Sequence, residues 1–156
     1  MSKGIRRQGR EVALKVIYSL QDQDGDVETT LADFWKNFRF HNDVLGEPLE
    51  DAEAPLSFEV QRFAEDLING VAVNLEKIDQ MIEEHSTNWA LDRMARVDLS
   101  LLRMATYELL YRPEIPTSVV INEAIEVGKC YGTKETPAFV NGILYKISRI
   151  CRQSPG

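Results

Sequence analysis

The chain has 156 residues, 44% of them hydrophobic and 28% charged, with a formal net charge of −7. Such a composition is that of an ordinary globular protein, not of a disordered or low-complexity chain, and the acidic balance argues against general coating of nucleic acid. No apolar run approaches the roughly 18–20 residues of a bilayer span, and the charged N-terminus lacks the apolar stretch of a secretory leader, so a cytoplasmic protein with no membrane contact is expected.

At this length one domain is expected, with roughly 68–70% of the unfolded chain's surface buried on folding. Two cysteines, Cys130 and Cys151, are too few and too far apart for a disulfide framework. Their place on the apolar side of predicted helices makes them buried thiols.

The first helix is predicted from about Gly4 to Gln21, with Val12, Ala13, Val16, Ile17 and Leu20 as its apolar stripe. Lys3, Arg6, Arg7 and Arg10 follow the spacing i, i+3, i+4, i+7, which lines one helical face. Residues 1–15 carry five positive charges against the single Glu11, a balance of +4, while the rest of the chain stands at −11. At about 100° per residue the basic stripe lies beside the apolar one, so the buried and binding sides of this helix are predicted to be separate. Concentrated positive charge in an acidic protein calls for an anionic partner: RNA, DNA or an acidic protein surface.

A polar turn at residues 21–26 leads to a second helix carrying Val27, Leu31, Phe34, Trp35 and Phe38. Residues 41–56, interrupted by Gly46, Pro48 and Pro55 and rich in Asp and Glu, read as an exposed acidic loop. Ser57 is the predicted N-cap of a third helix with Val60, Phe63, Ala64, Leu67, Ile68 and Val71 inside. Asn74 either caps a further helix (Leu75, Ile78, Met81, Ile82) or marks a bend in the same one. The cluster Ser86-Thr87-Asn88 marks the boundary between an N-terminal helical subdomain of about 1–85 and a C-terminal one of about 86–156.

Met94, Val97, Leu101, Leu102, Ala105 and Leu109 define a strongly apolar helix that stops before Pro113. The next begins at Pro116, with Val120, Ile121, Ala124, Val127, Gly128 and Tyr131 inside and Gly132 expected in a left-handed cap. Thr136-Pro137 is the predicted start of the last helix, an N-cap and a first-turn proline, followed by Phe139, Val140, Ile143, Leu144, Ile147, Ile150 and Cys151 on its apolar stripe. The whole is all-α: about seven helices in two small packed bundles. Gly70, Gly128 and Gly142 fall inside helices and are expected to mark close helix approaches, since each costs about 1 kcal/mol relative to Ala.

Catalytic constellations are missing from this pattern. His41 and His85 have no metal-ligand spacing with a cysteine or with each other, and no phosphate-binding glycine loop or nucleophile elbow is present. His85 near a helix end faces the dipole, and Glu123 with Glu126 reads as a solvated carboxylate pair. A binding protein without cofactor or metal is expected, and not an enzyme.

Residues 6–18, Arg-Arg-Gln-Gly-Arg-Glu-Val-Ala-Leu-Lys-Val-Ile-Tyr, resemble the opening helix of the NusB transcription antitermination family. The segment Leu102-Arg-Met-Ala-Thr-Tyr-Glu-Leu109, the Ile-Asn-Glu-Ala core within residues 115–132 and Phe139-Val-Asn-Gly-Ile-Leu144 are similar to that family in the same order. The resemblance implies two helical bundles and a non-enzymatic RNA-binding adaptor. It implies pairing with NusE, a small-subunit ribosomal protein, on boxA RNA of nascent transcripts, alongside other Nus factors and RNA polymerase, in support of ribosomal RNA operon transcription.

The family's RNA-contacting arginines fall on Arg6, Arg7 and Arg10, with Lys3 just ahead. Tyr18 matches a tyrosine near the NusE surface, and its position equally suits a residue at the edge of the core. Glu135 matches an acidic NusE contact. Phe139 matches a phenylalanine of the partner or RNA surface, with core packing the alternative. Thr136-Pro137 departs from the family pattern and stiffens that loop, whereas Asn141 and Gly142 are expected to serve helix packing. The rival reading is a self-associating helical module, a homodimer whose arginines pair with the acidic segment of a second copy.

Overall fold

A computed structural model describes residues 4–21, 57–87 and 89–152, and every regular element among them is helical. They form α1 (Ile5–Leu20), α2 (Phe58–Val73), α3 (Leu75–His85), a 3-10 turn (Leu91–Arg93), α4 (Arg96–Tyr111), α5 (Thr117–Tyr131) and α6 (Thr136–Cys151). The helix predicted around Val27–Phe38, His41 and the acidic segment 41–56 lie outside the described residues.

Local side-chain chemistry sets three of these ends. The Ser57 hydroxyl accepts the Val60 N–H at 3.2 Å, which caps α2 as its sequence promised. Asn74 acts differently from a cap on α3. Its side-chain amide and its backbone N–H both donate to the Gly70 carbonyl, at 2.9 and 3.1 Å, so it closes α2 and separates the two helices. His85, the last residue of α3, donates from Nδ1 to the Met81 carbonyl at 2.7 Å, which satisfies a last-turn acceptor.

Two compact units result, Met1–Asn69 and Gly70–Gly156. The division falls inside α2 and not near Ser86. The physical reason is the inner face of α3, where Ile78 and Ile82 are fully buried and the helix packs on α4 and α6.

In the second unit α4, α5 and α6 pack on one another, with α4 at the centre. Its stretch Leu99–Leu109 is buried throughout except at Arg103. Leu101 and Leu102 are wholly enclosed, each contributing about 1.5–3 kcal/mol of transfer free energy. Arg103 holds the Asp79 carboxylate of α3 with two bonds, Nε at 2.8 Å and Nη2 at 2.9 Å. This paired geometry adds direction to charge.

Two glycines explain how closely the helices approach. A Cβ on Gly70 would lie 2.1 Å from the Tyr107 ring, and one on Gly128 would lie 3.0 Å from the Thr136 methyl and 3.3 Å from Leu101. Gly142 breaks this expectation: a Cβ there meets nothing within 4 Å, and both Asn141 and Gly142 are exposed. The expected packing role of that pair is therefore wrong. Gly132 also departs from its predicted left-handed cap. Its φ of −99° and ψ of −166° are extended, and it is held to glycine by Thr136, whose Oγ1 would sit 2.4 Å from a Cβ.

The end of α4 is closed from a distance. Arg152, just past α6, donates from Nε to the Leu109 carbonyl at 3.0 Å and from Nη2 to the carbonyls of Glu108 and Arg112 at 3.0 and 2.7 Å. Its Nη1 bonds the Ile115 carbonyl and the Thr117 hydroxyl, so one guanidinium satisfies the last turn of α4, the connection after it and the start of α5.

Two expectations follow for thermal or urea unfolding. Gly70→Ala destabilises by about 1–3 kcal/mol through overpacking against Tyr107, whereas Gly142→Ala stabilises by up to about 1 kcal/mol. Arg152→Ala leaves several part-buried acceptors short and lowers stability by about 1–3 kcal/mol, and Arg152→Lys recovers only part of the loss because a single ammonium cannot span them.

Candidate nucleic-acid interface

At the start of α1, Gly4 is extended (φ −65°, ψ 159°), offers no side-chain cap, and the first turn carries no acidic residue. The first backbone N–H groups therefore point out of a helix end that already bears partial positive charge. Arg6 is exposed there and Arg7 is half-buried. Guanidinium groups beside an uncapped helix start form an electropositive surface that suits phosphate and planar bases.

Arg10 does not belong to that surface. It is 1% exposed, and α1 is buried without interruption from Gly9 to Ile17, Glu11 and Lys15 included. The predicted separation of a basic side from an apolar side thus fails over the helix's middle. The cause is close packing: Phe63 of α2 lies on the bare backbone of Gly9, where a Cβ would be 2.6 Å from its ring. The guanidinium carbons of Arg10 and Arg6 stand 5.2 and 5.9 Å from the Phe63 ring centroid. Both arginines thus lie over one aromatic ring, one of them in the interior and one at the surface. Nothing in the charge pattern signals this, although Gly9 within an otherwise helical run marks a close approach. Lys3 lies outside the described residues.

The residues assigned to a protein partner divide between the units. Tyr18 is half-buried near the end of α1. Glu135 is exposed immediately before α6, and its N–H donates to the Thr133 hydroxyl at 3.3 Å. Thr136 is the first residue of α6 and not its cap. Its buried hydroxyl accepts the Thr133 N–H at 3.0 Å and donates to Asp98 of α4 at 2.7 Å, which locks the loop that presents Glu135. Phe139, one turn into α6, is half-buried and meets Trp89 edge to face, with ring centroids 6.0 Å apart at 81°. Trp89 went unnoticed in the sequence because no helical period contains it.

One groove carries the opposite charge. A groove of about 690 Å³ on the second unit is lined by Glu76, Asp79, Gln80, Glu83, Glu84 and Leu91, which disfavours phosphate. Glu126 lies 3.3 Å from Lys129 on an open helix face. The two cysteines differ from their expected burial: Cys130 is exposed, and Cys151 is half-buried with its thiol pushed above the ordinary range by desolvation. No helix among the described residues is long and apolar enough to cross a membrane.

Among the described residues these observations define an all-helical protein of two units, the first with a basic helix start and the second with an aromatic pair and an exposed Glu135 at the start of α6. The model of the NusB family matches residues 7–149. The chain is 65% identical over 152 residues to the transcription antitermination protein NusB of Syntrophotalea carbinolica, covering 97% of each chain. NusB of T. maritima superposes with a TM-score of 0.75 at 33% identity, covering 96% of this chain and 93% of that one. A structure of the antitermination factors NusB and NusE in complex with double-stranded RNA has the same fold, with a TM-score of 0.73 at 20% identity over 94% of this chain and 97% of that one. The chain belongs to the NusB family.

Arg10→Ala should lower stability by about 2 kcal/mol through lost packing and lost attraction to the ring, and Arg6→Ala by less than about 0.5 kcal/mol. Paired denaturation curves test this, and equal effects would place both arginines in the same environment.

Proposed function

We propose that this protein is a transcription antitermination factor that binds RNA without catalysing a reaction. It acts as an adaptor on boxA-type single-stranded RNA of nascent transcripts, jointly with NusE, and supports transcription of ribosomal RNA operons. Other Nus factors and RNA polymerase complete the assembly, and the cytoplasm is its compartment.

The observation that carries this reading is the basic start of α1, where exposed Arg6 and half-buried Arg7 stand beside uncapped backbone N–H groups in a chain of net charge −7. A local excess of positive charge in an acidic protein selects an anionic partner at that place. Relatives named as NusB antitermination proteins, and a NusB–NusE complex with RNA that shares the fold, support the same conclusion.

The roles within the site differ from residue to residue. Arg6 and Arg7, with Lys3 ahead of them, contact RNA, while Arg10 orients the helix from inside. Glu135, Phe139 and Tyr18 are the NusE-facing residues, with Glu135 the most accessible of the three.

Arg6→Glu combined with Arg7→Glu should abolish retention of a boxA-type RNA in a gel shift while helicity by circular dichroism stays unchanged. For wild type, log K should fall with log salt by about 0.7 for each phosphate engaged. NusE should strengthen RNA binding by wild type. Wild-type affinity in the double variant would refute the assignment, and a stable dimer that RNA leaves intact would favour self-association instead.

A further inference from the structure

We propose that Phe63 of α2 is a positioning residue for RNA binding: its ring holds the Arg6 guanidinium at the surface with charge and N–H donors unspent, ready to meet a backbone phosphate. The inference rests on the RNA-binding reading above and adds to it a residue that acts through Arg6.

An arginine on a surface gives up rotamer freedom when a ligand fixes it, and that cost is subtracted from affinity. A carboxylate can hold the side chain in advance, as Asp79 holds Arg103 with two bonds at 2.8 and 2.9 Å. Such a partner offsets the charge and occupies the donors that a phosphate would need. Arg6 is held differently. Its guanidinium carbon stands 5.9 Å from the Phe63 ring centroid, and among the described residues its side chain has no hydrogen bond or ion pair. A ring attracts a cation through its electron-rich face without neutralising it, so no carboxylate competes for the N–H donors.

The ring is itself anchored. Phe63 is half-buried and lies on the bare backbone of Gly9, where a Cβ would come within 2.6 Å of its Cδ1 and 3.2 Å of its Cβ. Arg10, 1% exposed, stands over the same ring at 5.2 Å, one turn along α1 from Arg6. Two other surface arginines also lie over rings, Arg62 over Phe58 at 5.6 Å and Arg149 over Tyr145 at 5.7 Å. Those rings are 71% and 55% exposed, and a ring in solvent fixes its cation weakly. Arg6 alone of these three joins an anchored ring to a helix start whose first turn carries no acidic residue, where the helix already favours an anion. Gly9 gains a functional reading as well: a side chain there would displace the ring and, with it, Arg6.

The test is a double-mutant cycle read by the affinity of the full chain for a boxA-type single-stranded RNA oligonucleotide. Arg6→Ala should weaken binding and lower the slope of log K against log salt by about 0.7, the signature of one lost phosphate. Phe63→Leu keeps apolar bulk against Gly9 and removes the ring. It should weaken binding by about 2- to 5-fold, the worth of one exposed cation–π contact. In that background Arg6→Ala should cost about 2- to 5-fold less than in wild type, whereas Arg7→Ala should cost the same in both. Phe63→Tyr keeps a ring and should bind within about twofold of wild type. Phe63→Met, a second ring-free variant, carries the cycle if Phe63→Leu loses helicity. A displaced helix would lower the contributions of Arg6 and Arg7 together, so the Arg7 cycle separates positioning from packing. Additive effects of Phe63→Leu and Arg6→Ala, or equal coupling of Phe63 to both arginines, would overturn the inference and leave the RNA-binding reading standing. Failure of wild type to bind the RNA at all would overturn both.

Discussion

A buried helix must have its end carbonyls satisfied, and the second unit is organised around that requirement. α4 is buried from Leu99 to Leu109 except at Arg103, so its last turn has less access to water than that of a surface helix. Arg152 supplies the donors from the far end of the chain, bonding the carbonyls of Glu108, Leu109, Arg112 and Ile115. The same contact sets where α5 begins and where α6 ends. At the opposite end of α4, Thr136 donates to Asp98 at 2.7 Å and holds the loop carrying Glu135.

In the first unit a single aromatic side chain performs a comparable task. Phe63 occupies the gap that Gly9 leaves and lies under both Arg6 and Arg10. Arg10 is interior, where its long stem adds packing against that ring, while Arg6 stays in solvent. An arginine stripe that reads as uniform in sequence becomes two kinds of residue. The division matters functionally because a phosphate can be met only by charge that remains accessible.

Much of the architecture was legible from periodicity. Val60, Ala64, Leu67, Ile68 and Val71 on α2, or Val140, Ile143, Leu144 and Ile147 on α6, are buried where their spacing placed them. Helical period and core burial are the same physical fact seen twice. The cap at Ser57 and the close approaches at Gly70 and Gly128 were equally readable, since each follows from the chemistry of one residue and its near neighbours. Gly142, Cys130 and Arg10 were misread because their burial depends on what packs from other elements.

Sequence alone determined the all-helical class, most helix ends, the concentration of positive charge at the start of α1 and the membership of a family. These are local or compositional properties, written in spacing, caps and net charge. Only the tertiary structure decided that Arg10 is interior, that the units part at Asn69 and Gly70, that Arg152 closes α4 and that Trp89 stands against Phe139. Each of these joins residues from different helices or connections. Such contacts arise when the chain's apolar faces are buried together, and no window of sequence contains both partners.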